Sequence, residues 1–402
     1  MSFPEAPLRF GAFIAPKHFP GRNPTLALRR DLELISLMDD LGYDEVFVGE
    51  HHSGGVEIVP TPEIMLAAAA ERTKRIRLGT GVASVPYHHP LMLADRMVLL
   101  DHLSGGRAIL GVGPGALPTD AHMMGLPVEQ LRHRTDEGFE ALQRLLHGDG
   151  PVTMKTDWFE LNNAALNLAP LQWPGLETAV AAVRSPSGPR LAGKFGSGLI
   201  SLAATDPKGG FDFLQDTWAI VEDKAKEHGQ KVDRSTWRLC APMHIAETEE
   251  LAREQVKWGF YNQLRVGAAG PFAKISGANI EEVIRTRTFD DLIDEANESG
   301  SMVIGTPEMA NVQIRRLQKQ TGGFGSLLLI LFNLADYYAT RHSLELFAQD
   351  VIPEFNNQTY RPLAAWERLY SNREISNAEF KAAQDKAIEE HEAEVAAKAK
   401  AK

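Results

Sequence analysis

Short apolar runs alternate along this chain with longer stretches whose apolar residues recur every three or four positions. Residues 8–14 form the first run. Residues 25–41 follow it, with Leu28, Leu32, Ile35 and Met38 at helical spacing. The alternation continues with strand-like runs at 46–48, 76–82, 108–112, 178–183, 198–202, 237–245 and 327–332. Helical stretches are predicted at 62–72, 91–103, 128–146, 187–195, 211–228, 307–320 and 343–351. Continuously apolar strands between amphipathic helices predict a parallel sheet covered by helices. Eight such units favour a closed (β/α)₈ barrel of the TIM type, in the α/β class, over an open doubly wound sheet.

Three segments break the rhythm. Residues 153–168 read as an irregular excursion. Residues 265–300 are polar, contain glycine and are weakly patterned, which predicts an insertion over one end of the fold. Residues 377–402 are rich in Ala, Glu and Lys and predict a solvated helix. The expected organisation is therefore a barrel over 1–360, with an insertion at about 265–300, and a C-terminal helical extension over 361–402.

Composition narrows the functional classes. An apolar fraction of 44% over 402 residues suffices for a large core. A net charge of −11 with dispersed acidic residues argues against a nucleic-acid partner, which requires a basic face. The single cysteine, Cys240, rules out an intrachain disulfide and a multi-thiolate metal site. No basic segment followed by an apolar run opens the chain, and the apolar run at 327–332 is far shorter than the ~20 residues that span a bilayer. A cytoplasmic enzyme without a membrane contact is the expectation.

In a (β/α)₈ barrel the chemistry gathers where the strands end. The second strand leads into Glu50-His51-His52, the third into Tyr87-His88-His89-Pro90, the fourth into Gly113-Pro114-Gly115, and the fifth into Arg184-Ser185-Pro186-Ser187-Gly188. Adjacent His-His pairs lack the i, i+4 spacing of a helical zinc site, and neighbouring side chains on an extended end diverge, so no metal is expected. Arg184, Ser185, Ser187 and Gly188 run from a strand into a helix start, where free amides and the helix dipole would hold a phosphate. The alternative is that Ser185 or Ser187 only caps the helix. Residues 111–115 do not complete a G-x-G-x-x-G fingerprint, and no P-loop is present. The glycines there would instead let a flat ring lie against backbone.

Taken in order, several segments resemble bacterial luciferase and its flavin-dependent monooxygenase relatives. They are Phe10-Gly11-Ala12-Phe13, the run from Leu41 to His52, the run from Ile76 to Val82, His89-Pro90, the run from Asp101 to Arg107, Gly111-Val112-Gly113, Gly305-Thr306-Pro307-Glu308 and residues 344–353. The end of the chain is more similar to the limonene-monooxygenase-like subgroup than to luciferase proper. The resemblance implies a (β/α)₈ barrel, often dimeric or a higher homo-oligomer. It implies reduced FMN delivered by a separate flavin reductase, molecular oxygen, and a small apolar organic substrate that is terpene-, aldehyde- or ketone-like. By the same resemblance His51 is the catalytic histidine, with Glu50 beside it. Gly81 and Val82 underlie the isoalloxazine at a position where members often carry a cis non-prolyl bond. Arg184 and Ser185 match the phosphate position. Gly113 and Pro114 stand where luciferase has a cysteine and then an arginine, so one expected phosphate cation is missing. Two alternatives stay open: an oxidoreductase of the same barrel family that uses the deazaflavin F420, and a non-catalytic flavin-binding protein. The insertion at 265–300 would serve as a lid that keeps water out.

Overall fold

The computed structural model describes residues 7–15, 17–148, 150–206, 213–269 and 280–400. Eight parallel strands close into a barrel: β1 (Arg9–Ile14), β2 (Glu45–Val48), β3 (Arg77–Thr80), β4 (Ala108–Gly113), β5 (Thr178–Ala182), β6 (Gly198–Ser201), β7 (Trp237–Ala241) and β8 (Ser326–Leu331). Each strand pairs with its neighbours in chain order. β8 returns to β1 with Phe10 opposite Leu327, and the pairing of Leu78 with Ala108 joins β3 to β4. All eight predicted strands are present in the predicted order.

The strands read as unbroken apolar runs because both of their faces are buried. Phe13, Phe47, Ile109, Ala179, Ile200, Cys240 and Leu328 fill the barrel interior. Phe10, Ala12 and Ile14 alternate outward into the larger shell that packs strands on helices, with Ile35, Met38, Leu66, Leu93, Leu142, Ile314 and Phe347. Interior space is tight. A Cβ at Gly79 would lie 2.3 Å from the Phe47 ring, so the strand beside Phe47 needs a glycine there. Cys240 is enclosed, and burial pushes its thiol pKa well up, as suits an inert core residue.

The helices are punctuated by the chain itself. Pro24, Pro62, Pro90 and Pro307 open helices; Gly42, Gly105 and Gly322 close three of these in the left-handed conformation, and Gly196 so closes the helix Ser187–Phe195. The N-terminal mouth of the barrel is sealed by charge. Arg238 donates to Glu45 from Nε at 3.0 Å and from Nη2 at 2.9 Å, and to Glu177 at 2.6 Å. Arg77 completes the cluster, 2.6 Å from Glu177. Burial alone would raise the Glu45 carboxyl pKa, but the Arg238 and Arg9 charges outweigh it and bring it down to about 2.

Three segments differ from expectation. The predicted strand 237–245 breaks at Pro242. Its second part, Met243–Ile245, leaves the barrel and pairs in parallel with Val303–Gly305. The excursion at 153–168 is an antiparallel hairpin, Val152–Lys155 with Glu160–Ala164. Within the predicted insertion, residues 270–279 lie outside the described residues. The flanking chain is helical rather than irregular, as Glu249–Ala269, Ile280–Thr286 and Phe289–Ser299. A capping box from Thr288 to Asp291 starts the last of these. Its Phe289, Leu292 and Ile293 join Ala252, Val256, Phe260 and Ile304 in a small separate core.

By their contacts the described residues divide into two compact units, one ending at residue 355 and the other running from residue 356. The second unit carries the helices Tyr360–Ser371 and Arg373–Lys400, which bury no residue. Among the described residues no helix is long and apolar enough to cross a membrane.

Candidate active site

Two polar groupings and one cavity occupy the C-terminal end of the barrel. The first grouping is centred on Glu50, which is 4% exposed. Its Oε1 is 2.8 Å from His52 Nε2 and 3.0 Å from His88 Nε2, and its Oε2 accepts from the Ser84 amide at 2.8 Å. Arg96 Nη2 donates to His88 Nδ1 at 3.0 Å, which fixes the His88 proton on the nitrogen that faces Glu50. Arg96 is itself held by Glu63 at 2.6 Å. Burial would raise the Glu50 pKa, but hydrogen bonds from His52, His88 and Ser84 outweigh it and leave the carboxylate ionised below the usual range. The His52 pKa is raised chiefly by its hydrogen bond to Glu50, so the pair is biased toward imidazolium and carboxylate.

The second grouping is centred on His51, which points away from His52. Its Nδ1 is 3.0 Å from Asp120 Oδ2, and its Nε2 is 3.4 Å from Glu57 Oε2. Asp120, 1% exposed, also accepts from the His52 amide at 3.2 Å and from the Ser53 hydroxyl. One loop thus sends adjacent histidines to different carboxylates, as expected of neighbours on an extended strand end. Asp120, Glu57, Ser84 and Arg96 were not singled out in the sequence. The signal that bears on Asp120 is its place seven residues beyond the end of β4, on the same rim as the other polar residues.

The cavity has a volume of about 550 Å³. Val82, Gly113, Arg184, Ser185, Ser187 and Gly188 all line it, so six residues marked from sequence as cofactor-binding meet around one space. Gly81 is not among the lining residues. It precedes the lining residue Val82, and a Cβ on it would meet the Phe13 ring at 2.8 Å and the Phe47 Cβ at 2.9 Å. The Gly81–Val82 peptide is cis. Glu50 and His51 do not line the cavity either. The chain from Pro114 to Ala116 forms part of its wall and leads on to Asp120, which bonds His51. Gly115 holds φ +86°, and a Cβ there would be 2.3 Å from the Tyr87 hydroxyl. That hydroxyl is buried without a hydrogen-bond partner.

Part of the cavity lining is polar. Ser185 Oγ lies 3.0 Å from Ser187 Oγ and accepts from the Ser187 amide at 3.3 Å. These groups sit at the start of the helix Ser187–Phe195, whose N-cap residue Pro186 supplies no side-chain acceptor. Arg184 Nη2 pairs with Asp206 at 2.5 Å, while its Nε is buried without a partner. Arg132, Thr135 and Asp136 also line the cavity, from the helix Leu131–His147. Much of the remaining lining is apolar and includes Ala181, Val183, Leu191 and Leu202. A ligand with an anionic group and a flat apolar ring fits such a mixed lining, so the residues present suit a flavin nucleotide. Among the described residues no group of histidine, cysteine and carboxylate side chains is arranged to hold a metal ion.

Comparison with known proteins agrees with this geometry. The family model for luciferase-like monooxygenases matches residues 8–323. The chain is 47% identical over 393 residues to limonene 1,2-monooxygenase of Rhodococcus erythropolis, covering 96% of each. It is 43% identical over 352 residues to 4-hydroxyprotoasukamycin monooxygenase of Streptomyces nodosus subsp. asukaensis, covering 87% of this chain and 92% of that protein. Among solved structures, monooxygenase RslO1 from Streptomyces bottropensis superposes with a TM-score of 0.74 at 25% identity, covering 87% of this chain and 100% of that one. The chain belongs to the luciferase-like monooxygenase family and is a flavin-dependent monooxygenase.

Proposed function

We propose that this enzyme is the oxygenase component of a two-component system, taking reduced FMN from a separate reductase and using O₂ to oxygenate a small apolar, terpene-like molecule. The observation that carries this reading is the cavity, whose lining brings Val82 and Gly113 together with Arg184, Ser185, Ser187 and Gly188. The 47% identity to a limonene monooxygenase supports the substrate class. In this reading Ser185, Ser187, Gly188 and Arg184 hold the phosphate end, and Val82 and Gly113 border the ring. The bound flavin supplies the oxygen-transfer chemistry, and the protein supplies orientation and proton control.

The proton-handling group in this proposal is His51. With Nδ1–H donated to Asp120 Oδ2, its Nε2 is left to take or give a proton, and Glu57 Oε2 stands 3.4 Å beyond. Asp120 is then a positioning residue that fixes the tautomer and ring orientation of His51. Glu50 holds His52 and His88 and keeps the rim rigid beneath the site.

A second copy of the chain is the partner we infer for the helices Pro62–Ala70 and Pro90–Ser104. Their outer faces expose Ile64, Met92, Leu99 and Leu103, each more than half exposed, a concentration of apolar surface suited to a self-complementary contact.

The competing reading is an F420-dependent oxidoreductase on the same barrel. A monooxygenase needs a carrier that reacts with oxygen when reduced. Flavins do so, and deazaflavins carry hydride instead. Anaerobic titration with reduced FMN and with reduced F420 tests the proposal. Tight binding of reduced FMN, followed by consumption of oxygen only when flavin is bound, is expected. Binding of F420 alone would overturn it.

A further inference from the structure

We propose that a second cavity, on the opposite arc of the barrel rim from the flavin cavity, binds a small aromatic carboxylate. It has a volume of about 360 Å³, enough for a molecule of one or two rings. Its lining comes from the chain after β1 and β8, whereas the flavin cavity follows β4, β5 and β6, and the two share no lining residue. β1 and β8 are neighbours in the closed barrel, so β4 and β5 stand across from them.

Two arginines line this second cavity, Arg22 and Arg30. Among the described residues neither guanidinium makes a hydrogen bond or an ion pair. Each lies over an aromatic ring instead, Arg22 5.1 Å from the centre of Trp258 and Arg30 5.1 Å from the centre of Tyr337. Contact with a ring face steadies a guanidinium but uses none of its N–H donors. The rings are held in turn. Trp258 packs edge-on against Phe19 with centroids 4.8 Å apart, and the Tyr337 hydroxyl donates to Glu33 at 2.8 Å. Trp258 nonetheless stays 57% exposed. An exposed indole and two guanidinium forks with unspent donors, gathered on one cavity, suit a ligand with a flat apolar body and a carboxylate.

The acidic residues of the cavity are already engaged. Asp31 Oδ2 is 2.7 Å from His18 Nε2, and Asp336 Oδ1 accepts from the amides of Tyr338 and Ala339 at 2.8 and 2.9 Å. The helix Pro24–Leu41 starts at the same wall, and its first turn carries no acidic residue, so its dipole adds to the positive side. The two aspartates keep that excess small. A singly charged carboxylate therefore fits better than a phosphate, which carries nearly two charges at neutral pH.

The test is a calorimetric titration of the full-length enzyme with 2-naphthoate and with its neutral counterpart of the same shape, 2-naphthamide, each with and without saturating FMN. One equivalent of naphthoate should bind, equally well in either case, and the amide should bind about ten- to a hundredfold more weakly, the scale of a charge-assisted contact. Arg22→Met and Arg30→Met should each weaken naphthoate binding about tenfold and leave the amide unchanged. Trp258→Ala should weaken both compounds. Absence of naphthoate binding at millimolar concentration, equal affinity for acid and amide, displacement of naphthoate by FMN, or undiminished binding in Arg22→Met would overturn the proposal. Arg22 is exposed, so its replacement spares the core, and the comparison of acid with amide needs no variant at all. The titration without FMN makes the result independent of the flavin reading.

Discussion

At the N-terminal mouth of the barrel Arg238 and Glu45 face each other with both side chains wholly buried, and Glu177 and Arg77 complete their pairing. At the C-terminal mouth the carboxylates of Glu50 and Asp120 are nearly as buried, but their histidines are partly exposed, and the chain from Pro114 to Ala116 ties this rim to an open cavity that has unpaired groups near it. The Tyr87 hydroxyl and Arg184 Nε have no partner there. The residue types are similar and the outcomes opposite. A charge cluster that closes on itself contributes to holding the barrel. One beside a cavity, with a histidine poised between two carboxylates, is available for chemistry. The fold dictates which is which, because strand ends on one rim carry the loops.

This comparison would break most visibly at His51. Replacing His51 by Ala should lower kcat by about 10²–10⁴-fold, the range of a lost general acid or base, with little change in melting temperature. Steady-state rates with saturating reduced flavin check this, and an unchanged kcat would remove His51 from the mechanism. At the opposite mouth Arg238→Met should do the reverse. It leaves Glu45 buried and unpaired, which costs roughly 3–5 kcal/mol of stability, while kcat per folded molecule stays near wild type. Denaturant titration with a parallel activity assay reads both.

The acid limb sharpens the same contrast. The Glu45 pKa is depressed to about 2 in the folded protein, against 4.5 for the free side chain. Its stabilisation is therefore fully present above pH 4.5 and is lost as pH falls toward 2. Wild type should lose stability through that window. Glu45→Gln should show a flatter dependence there, from a lower starting stability. The smallest effect is expected at Asp120. Asp120→Asn retains the shape but lets the His51 ring take the other tautomer, so kcat should fall roughly tenfold and its pH profile should shift. A tenfold loss with an unmoved profile would mark Asp120 as merely structural.

Much of this was legible in the sequence for a physical reason. The strands are buried on both faces, so each is an apolar run that no loop imitates, and their order alone gave the closed barrel. The rule that chemistry lies at strand ends led to Glu50, His51 and residues 184–188 without any contact being known. Partners were another matter. Asp120, Glu57 and Arg96 meet their histidines only because the barrel brings distant loops together, and nothing local in Thr119-Asp120 or Val56-Glu57 announces that contact. The helices flanking 270–279 were hidden because they are short and rich in charge: Phe289–Ser299 buries Phe289, Leu292 and Ile293 alone, against a small core apart from the barrel. Pro242 was the available sign that residues 237–245 are two strands rather than one.

The most direct test of the central claim is a single-turnover reaction with isotopically labelled dioxygen. Enzyme loaded anaerobically with reduced FMN is mixed with a cyclic monoterpene and labelled O₂, and the product is read by mass spectrometry. The account predicts one labelled oxygen atom in the organic product, no reaction when reduced F420 replaces FMN, and a much smaller yield from His51→Ala. A product lacking the label, or one formed equally well with F420 in the absence of oxygen, would contradict it.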